Sequence, residues 1–218
     1  MTRGSQTICR AGLAALVLFV GAGCAEEPPC EGQPGRFSEQ SIQSGGQQRR
    51  YFLYVPSTYR CEQPAALMLH FHGTVSAEPS LASEVRPEER WSLEAAVKVA
   101  EEKGFILLRP RARGRDFAGL KVWQWRPTGD ATLNVNFTLD LLQHLGERYH
   151  LDPARRYAAG FSNGTNMAVR FLEGKREHTF AGYGLVGGGV WGTTYNPRIP
   201  APPPRVYAAT GYRDYQLD

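Results

Sequence analysis

A serine held between two glycines, Gly160-Phe161-Ser162-Asn163-Gly164, is the stretch of this chain best suited to covalent chemistry. Arg156-Tyr157-Ala158-Ala159 precedes it, and Met167, Val169, Phe171 and Leu172 follow at spacings that suit a packed helix. The pattern predicts strand, sharp turn and helix, with the hydroxyl lifted clear at the turn. Glycines two before and two after the serine let other segments approach where a Cβ would clash. The plain alternative is a glycine-rich turn. A serine hydroxyl by itself is a poor nucleophile. It needs a base for its proton, an acid to orient that base, and donors for the oxyanion that forms.

Chain order suggests some of these partners. Asn163 follows the serine and offers one backbone N–H to an oxyanion. A second is expected from His72-Gly73-Thr74, where Gly73 permits a tight bend and Thr74 aims its N–H back. The same three residues also read as a simple break from strand to loop. For the acid, Asp214 comes after the serine, behind a late strand and the turn Thr210-Gly211-Tyr212-Arg213; otherwise it is an exposed loop aspartate. Asp116, Asp130, Asp140 and Asp152 precede the serine and fit that order worse, and Asp152 before Pro153 reads as a turn starter. Trp123 and Trp125 alternate, so both face one side of an extended segment, where they line an acyl or aromatic pocket or simply pack. Gly187-Gly188-Gly189 before Trp191 shapes a cleft floor or forms a loose loop.

The elements that must position these groups alternate. Residues 37–42 and 49–55 read as strands joined by a hairpin at Gly45-Gly46. Residues 65–71 (AALMLHF) form a continuous apolar run, the mark of a strand buried on both faces. Residues 91–102 have helical spacing through Leu93, Ala96, Val97 and Ala100, stopped by Gly104. A buried strand at 105–108 is closed by Pro110, and 137–149 is a helix with Leu141, Leu142 and Leu145 on one face. Short strands at 181–186 and 206–210 complete the pattern. Strands alternating with helices predict an α/β fold with a mostly parallel sheet, whose function gathers at the strands' carboxyl ends. His72-Gly73-Thr74, Ser162 and Asp214 all fall there.

Composition bounds the class. The chain has 218 residues, 42% of them hydrophobic, enough for one domain with a proper core. Net charge is +4, and residues 1–23 hold two arginines and no acid, so the remainder carries only +2. That gives no argument for nucleic acid. Arg3 and Arg10 flank a polar start, and residues 11–20 are an apolar run too short to span a bilayer, as in an export signal. It ends Gly21-Ala22-Gly23-Cys24, which resembles a bacterial lipoprotein processing box and implies cleavage before Cys24 and a lipid on its sulfur. Plain secretion is the alternative, and either way the chain is exported. Residues 24–36 are a Pro/Gly-rich tether, and 37–218 the folded domain. In an oxidising compartment Cys30 and Cys61 are expected to pair. No Cys or His lies at metal-ligand spacing beside either one.

Taken together, the export signal, the hairpin, HGT after a buried strand, LDPARRYAAGFSNGTNMA and GYRD resemble the polyhydroxybutyrate depolymerase and feruloyl/acetylxylan esterase group of the α/β-hydrolases. The likeness covers about residues 37–218 and is most specific over 151–168. It implies Ser162 as nucleophile, Asp214 as acid, and the backbone amides of Thr74 and Asn163 as oxyanion donors. It further implies hydrolysis of carboxylic esters, polymeric ones included, through an acyl-enzyme and without a cofactor. An exported serine peptidase of the same fold is a competing expectation. One departure stands out: the group's base is a histidine beyond the acid, whereas the last histidine here is His178. The expectation is therefore a C-terminally incomplete copy that lacks the last strand and helix, leaves one sheet edge uncovered, and is either inactive or served by His70 or His72. A truncated relic that binds at the surface without catalysis follows from the same departure.

Overall fold

In a computed structural model of the chain, residues 28–31, 34–74, 87–115, 121–124, 129–172, 179–188 and 202–211 are described. Strands β1 (Arg36–Ser44) and β2 (Gln47–Val55) form a hairpin whose turn residues Gly45 and Gly46 have φ 57° and 73°. Two successive left-handed residues are what a two-residue hairpin of this twist demands. Next come β3 (Ala65–Phe71), helix α1 (Pro87–Lys103) and β4 (Ile106–Pro110). A small hairpin, β5 (Gly114–Arg115) with β6 (Lys121–Val122), precedes helix α2 (Gly129–Gly146). Then follow β7 (Leu151–Phe161), the short helix α3 (Asn163–Val169), β8 (Gly182–Val186) and β9 (Arg205–Ala209).

Seven strands form one sheet in the order β1-β2-β4-β3-β7-β8-β9. The hairpin side is antiparallel, and every pairing from β4 to β9 is parallel. Leu67, Leu69 and Phe71 of β3 are fully buried on one face with Phe137, Leu141 and Leu145 of α2 and Met167 of α3. Each such side chain contributes about 1.5–3 kcal/mol of burial. Met68 packs on the other face with Tyr54, Leu107 and Ala100 of α1. The expected mostly parallel sheet flanked by helices is therefore present.

Several boundaries differ from the sequence reading. Helix α1 starts at Pro87, four residues earlier than expected, because proline suits the first helical turn. Its end is as expected: Gly104 has φ 69°, and the amides of Gly104 and Phe105 both bond to Ala100 O. Helix α2 starts at Gly129 rather than 137, since the buried polar Asn134 in its second turn interrupts the helical stripe. It stops at Gly146, and Tyr149 instead forms a bridge to Cys30. Strand β7 starts at Leu151, but its register against β3 jumps from Leu151 to Arg156. There Asp152 Oδ1 accepts from Ala154 N at 2.8 Å, the turn expected of an Asp-Pro pair. At the sheet's β9 edge, Val206 and Tyr207 are 52% and 69% exposed on opposite faces.

Candidate active site

Ser162 is the one non-glycine residue with positive φ among the described residues, at φ 51°, ψ −121°. It occupies the N-cap position of α3, where a serine ordinarily turns its oxygen onto its own helix. Here the side chain makes no capping bond, because the unusual backbone angles carry it away. The turn is braced from behind. Ser162 N donates to Val186 O at 2.9 Å, and Thr165 N donates to Ser162 O at 2.9 Å. The Thr165 hydroxyl lies 3.0 Å from Gly160 O and 3.1 Å from Val186 O. Gly188 closes the arrangement: a Cβ there would lie 2.5 Å from Ser162 O and 2.8 Å from Thr165 Cβ. Gly187 and Gly188 thus brace the elbow rather than form a loose loop.

The two glycines beside the serine are required by close approach. A Cβ on Gly160 would fall 2.6 Å from Thr165 Cα, and one on Gly164 would fall 2.5 Å from His72 O. Helix α3 therefore lies directly on the ends of β7 and β3. The second expected element arrives at the same place: a Cβ on Gly73 would sit 3.4 Å from Ser162 Cβ. Parallel pairing of Phe71 with Gly160 carries the two turns side by side. Thr74, one residue on, is exposed. Strand β9 ends on this edge too, with Gly187 N donating to Ala209 O at 2.8 Å. Asp214, five residues further, lies outside the described residues, as do Trp125, Trp191, His178 and Cys24.

His72 does not serve as a spare base. Its Nδ1 lies 2.6 Å from Gly73 O, and its Nε2 accepts the Ala112 amide at 3.0 Å. A carbonyl on one side and an N–H on the other fix the neutral Nδ1–H tautomer. Burial, then the charge of Arg109, holds its pKa well below the ordinary imidazole value. His70 points to the alternate face of β3, where burial and then Arg109 push its pKa down to about 3. His150 Nδ1 is 2.7 Å from Cys61 O, and His144 Nε2 accepts from Arg148 Nη1 at 3.0 Å. Both sit away from the elbow, His150 at the start of β7 and His144 on the last turn of α2.

Of the two readings of Trp123, the structure supports packing and corrects the substrate-binding one. Trp123 does not line a pocket: it is 1% exposed and packs edge-on against Phe71 at 5.1 Å and beside His72 at 5.1 Å. Its indole N–H donates to His72 O at 3.0 Å. Its backbone N–H donates to Asn163 Oδ1 at 2.6 Å, while Asn163 Nδ2 donates to Trp123 O at 3.3 Å.

Arg49 was not singled out from the sequence. It is 6% exposed, donates to Asn134 Oδ1 at 2.9 Å and Arg111 O at 3.3 Å, and lies 4.0 Å over the Phe137 ring. Burial, then Arg113, lowers its pKa to about 10. It ties the segment after β4, which carries the Ala112 amide, to α2. A signal existed, since Arg49 shares the period-2 face of Tyr51 and Leu53. Away from the site, Cys30 and Cys61 form a disulfide with Cα atoms 5.3 Å apart.

Strand order, elbow and bracing turn define the α/β-hydrolase type of fold, and solved structures share it. A ferulic acid esterase superposes at TM-score 0.53 over 70% of this chain and 58% of its own, with 17% identity. A protein called pOPH gives TM-score 0.52 over 72% and 51%, with 19% identity, and an arylesterase 0.51 over 75% and 48%, with 15% identity. The chain thus spans about half the length of the solved structures it matches. No protein-family model and no curated protein matches the sequence.

Proposed function

We propose that this protein is an exported serine esterase acting on carboxylic esters, of the kind found in polyhydroxyalkanoates or plant cell walls. The observation that carries the reading is Ser162 on a left-handed turn, its hydroxyl not spent on capping, with the Gly73 turn packed against it. The names of the neighbours, a ferulic acid esterase and an arylesterase, support the ester class. In this reading Ser162 Oγ attacks the ester carbonyl and gives its proton to a base, which passes it to the departing alcohol. The amides of Asn163 and Thr74 receive the oxyanion, Asp214 orients the base, and water then releases the acid from the acyl-enzyme. None of the described histidines is assigned as that base.

Residues 1–23 and Cys24 support export with a lipid anchor in the bacterial envelope, or secretion without one. Cys24 lies six residues before Cys30, a reach of about 20 Å. Cys30 is fastened at the end of the sheet away from Ser162, so an anchored chain presents its site away from the bilayer.

The experiment is hydrolysis of p-nitrophenyl acetate and labelling by a fluorophosphonate probe, for the full chain beside Ser162→Ala. The expected result is labelling and turnover that both vanish in the variant; equal rates refute a serine mechanism. A second reading, a surface-binding protein without catalysis, is favoured by the full engagement of both His72 nitrogens. It expects retained affinity for polyester or carbohydrate with no labelling of either form.

A further inference from the structure

The two amides assigned to the oxyanion stand on separate pieces of chain, Thr74 after β3 and Asn163 after β7, and catalysis of that kind depends on their separation. One residue reaches both. The Asn163 carboxamide grips the backbone of Trp123 by two hydrogen bonds, at 2.6 and 3.3 Å, in the manner of a strand pair. The Trp123 indole then spans the gap and donates to His72 O at 3.0 Å. His72 is itself immobilised, with its ring held by Gly73 O and by the Ala112 amide. Gly73, whose carbonyl receives that ring, leads directly into Thr74. The indole is buried and wedged against Phe71, so it has no alternative placement without opening the core.

We propose that Trp123 is a positioning residue: a strut, clamped at one end by the Asn163 side chain and bonded at the other to His72, that holds the two oxyanion turns at a fixed separation. Each end of the strut relies on the other. Without the carboxamide clamp the Trp123 backbone is released, and the indole loses its aim at His72 O. Without the indole N–H the turn after β3 keeps its direct contacts with the elbow at Gly73 and over Gly164, but loses the bond that ties it to the Asn163 clamp. This inference rests on the serine reading for its catalytic consequence but not for its geometry.

The test is a double-mutant cycle in the full chain. Trp123→Phe keeps an aromatic ring and the backbone clamp but removes the indole donor; Asn163→Ala removes the clamp. With p-nitrophenyl acetate each single variant is expected to lower kcat about 10- to 100-fold while KM stays within about twofold, as for misplaced groups that act only in the transition state. The double variant is expected to lose no more than the worse single one, because both cut the same strut. Losses that multiply overturn the proposal, as does an unchanged kcat with only a lower melting temperature. A turnover-free readout is the Thr74 backbone amide resonance in a proton–nitrogen correlation spectrum. It is expected to shift on Asn163→Ala, and that shift is expected to disappear when Trp123 is already Phe. A Thr74 resonance that ignores Asn163→Ala overturns the strut. Should the unmodified chain neither turn over ester nor take a fluorophosphonate, the serine reading fails while the amide readout still decides the strut.

Discussion

Ser162 and His72 show how single side chains are held against their ordinary preferences. A serine at φ 51° costs about 1–3 kcal/mol and persists only where its surroundings insist. Here the insistence comes from Val186 O, Thr165 and Gly188. His72 is kept neutral by burial beside Arg109 and Arg111, with His70 also adding to the cationic penalty. Above the unfolded imidazole value of 6.5 the folded and unfolded chains both carry this ring neutral, so it brings no pH dependence. Below it the unfolded chain takes up a proton that the folded chain refuses. Stability is then lost as pH falls, by about 1.4 kcal/mol per pH unit for each such histidine, until the depressed folded value is reached. His72→Gln keeps a donor for Gly73 O and an acceptor for the Ala112 amide but does not titrate. Urea unfolding from pH 6 to 4.5 is expected to show an acid slope shallower by about one proton in this variant. An identical slope would mean His72 is not held neutral in the folded chain.

At the scale of elements, the site depends on how closely α3 lies on β3 and β7, and glycine decides that distance. Gly164→Ala would drive a Cβ into the backbone carbonyls of Phe71 and His72, atoms that cannot swing aside. The expected loss is about 1–3 kcal/mol or more, as for other overpacked contacts, read as a fall in the urea midpoint. Gly146→Ala is the control: a Cβ there meets nothing within 4 Å at the end of α2, so its midpoint is expected to hold or rise slightly. Equal losses for the two would remove close packing as the reason for the elbow glycines. Most of these elements were legible in advance. Residues 65–71 emerged as a strand with the expected ends, and Gly45-Gly46 and Gly104 marked the turn and the helix stop. The meeting of Ser162 with the Gly73 turn was expected from both turns falling at the carboxyl ends of parallel strands. What escaped was set by tertiary partners. The first two turns of α2 carry buried Asn134, a polar residue that interrupts the apolar stripe, and the Arg49 guanidinium that donates to it lies 85 residues away. Packing was one of the two readings of Trp123, but the bonds that fix it escaped for the same reason, since its two partners are 40 and 51 residues distant.

Across the whole molecule, chemistry and fastening lie at opposite ends of one sheet. Ser162, Gly73 and the end of β9 share the carboxyl ends of the parallel strands. The N-terminal segment is pinned where β3 and β7 begin, by the Cys30–Cys61 disulfide and the Cys30–Tyr149 bridge. There Arg148 Nε pairs with Glu31 at 2.7 Å and Arg148 O accepts the Glu31 amide at 2.6 Å. The ion pair has its Glu31 end exposed and its Arg148 end half-buried, and contributes about 1 kcal/mol. The disulfide closes a loop of sequence separation 31, which removes enough unfolded-chain entropy for about 3–4 kcal/mol. Most of the hold on this segment is therefore covalent. Cys30→Ser with Cys61→Ser is expected to lower the unfolding free energy by that amount, read as a fall in the urea midpoint. Because the sheet separates the two ends, the same variant is expected to leave fluorophosphonate labelling of Ser162 unchanged at temperatures where it stays folded. A labelling rate that falls while circular dichroism shows an intact fold would mean that the fastened end reaches the elbow through the strands, and the division between the two ends would not hold.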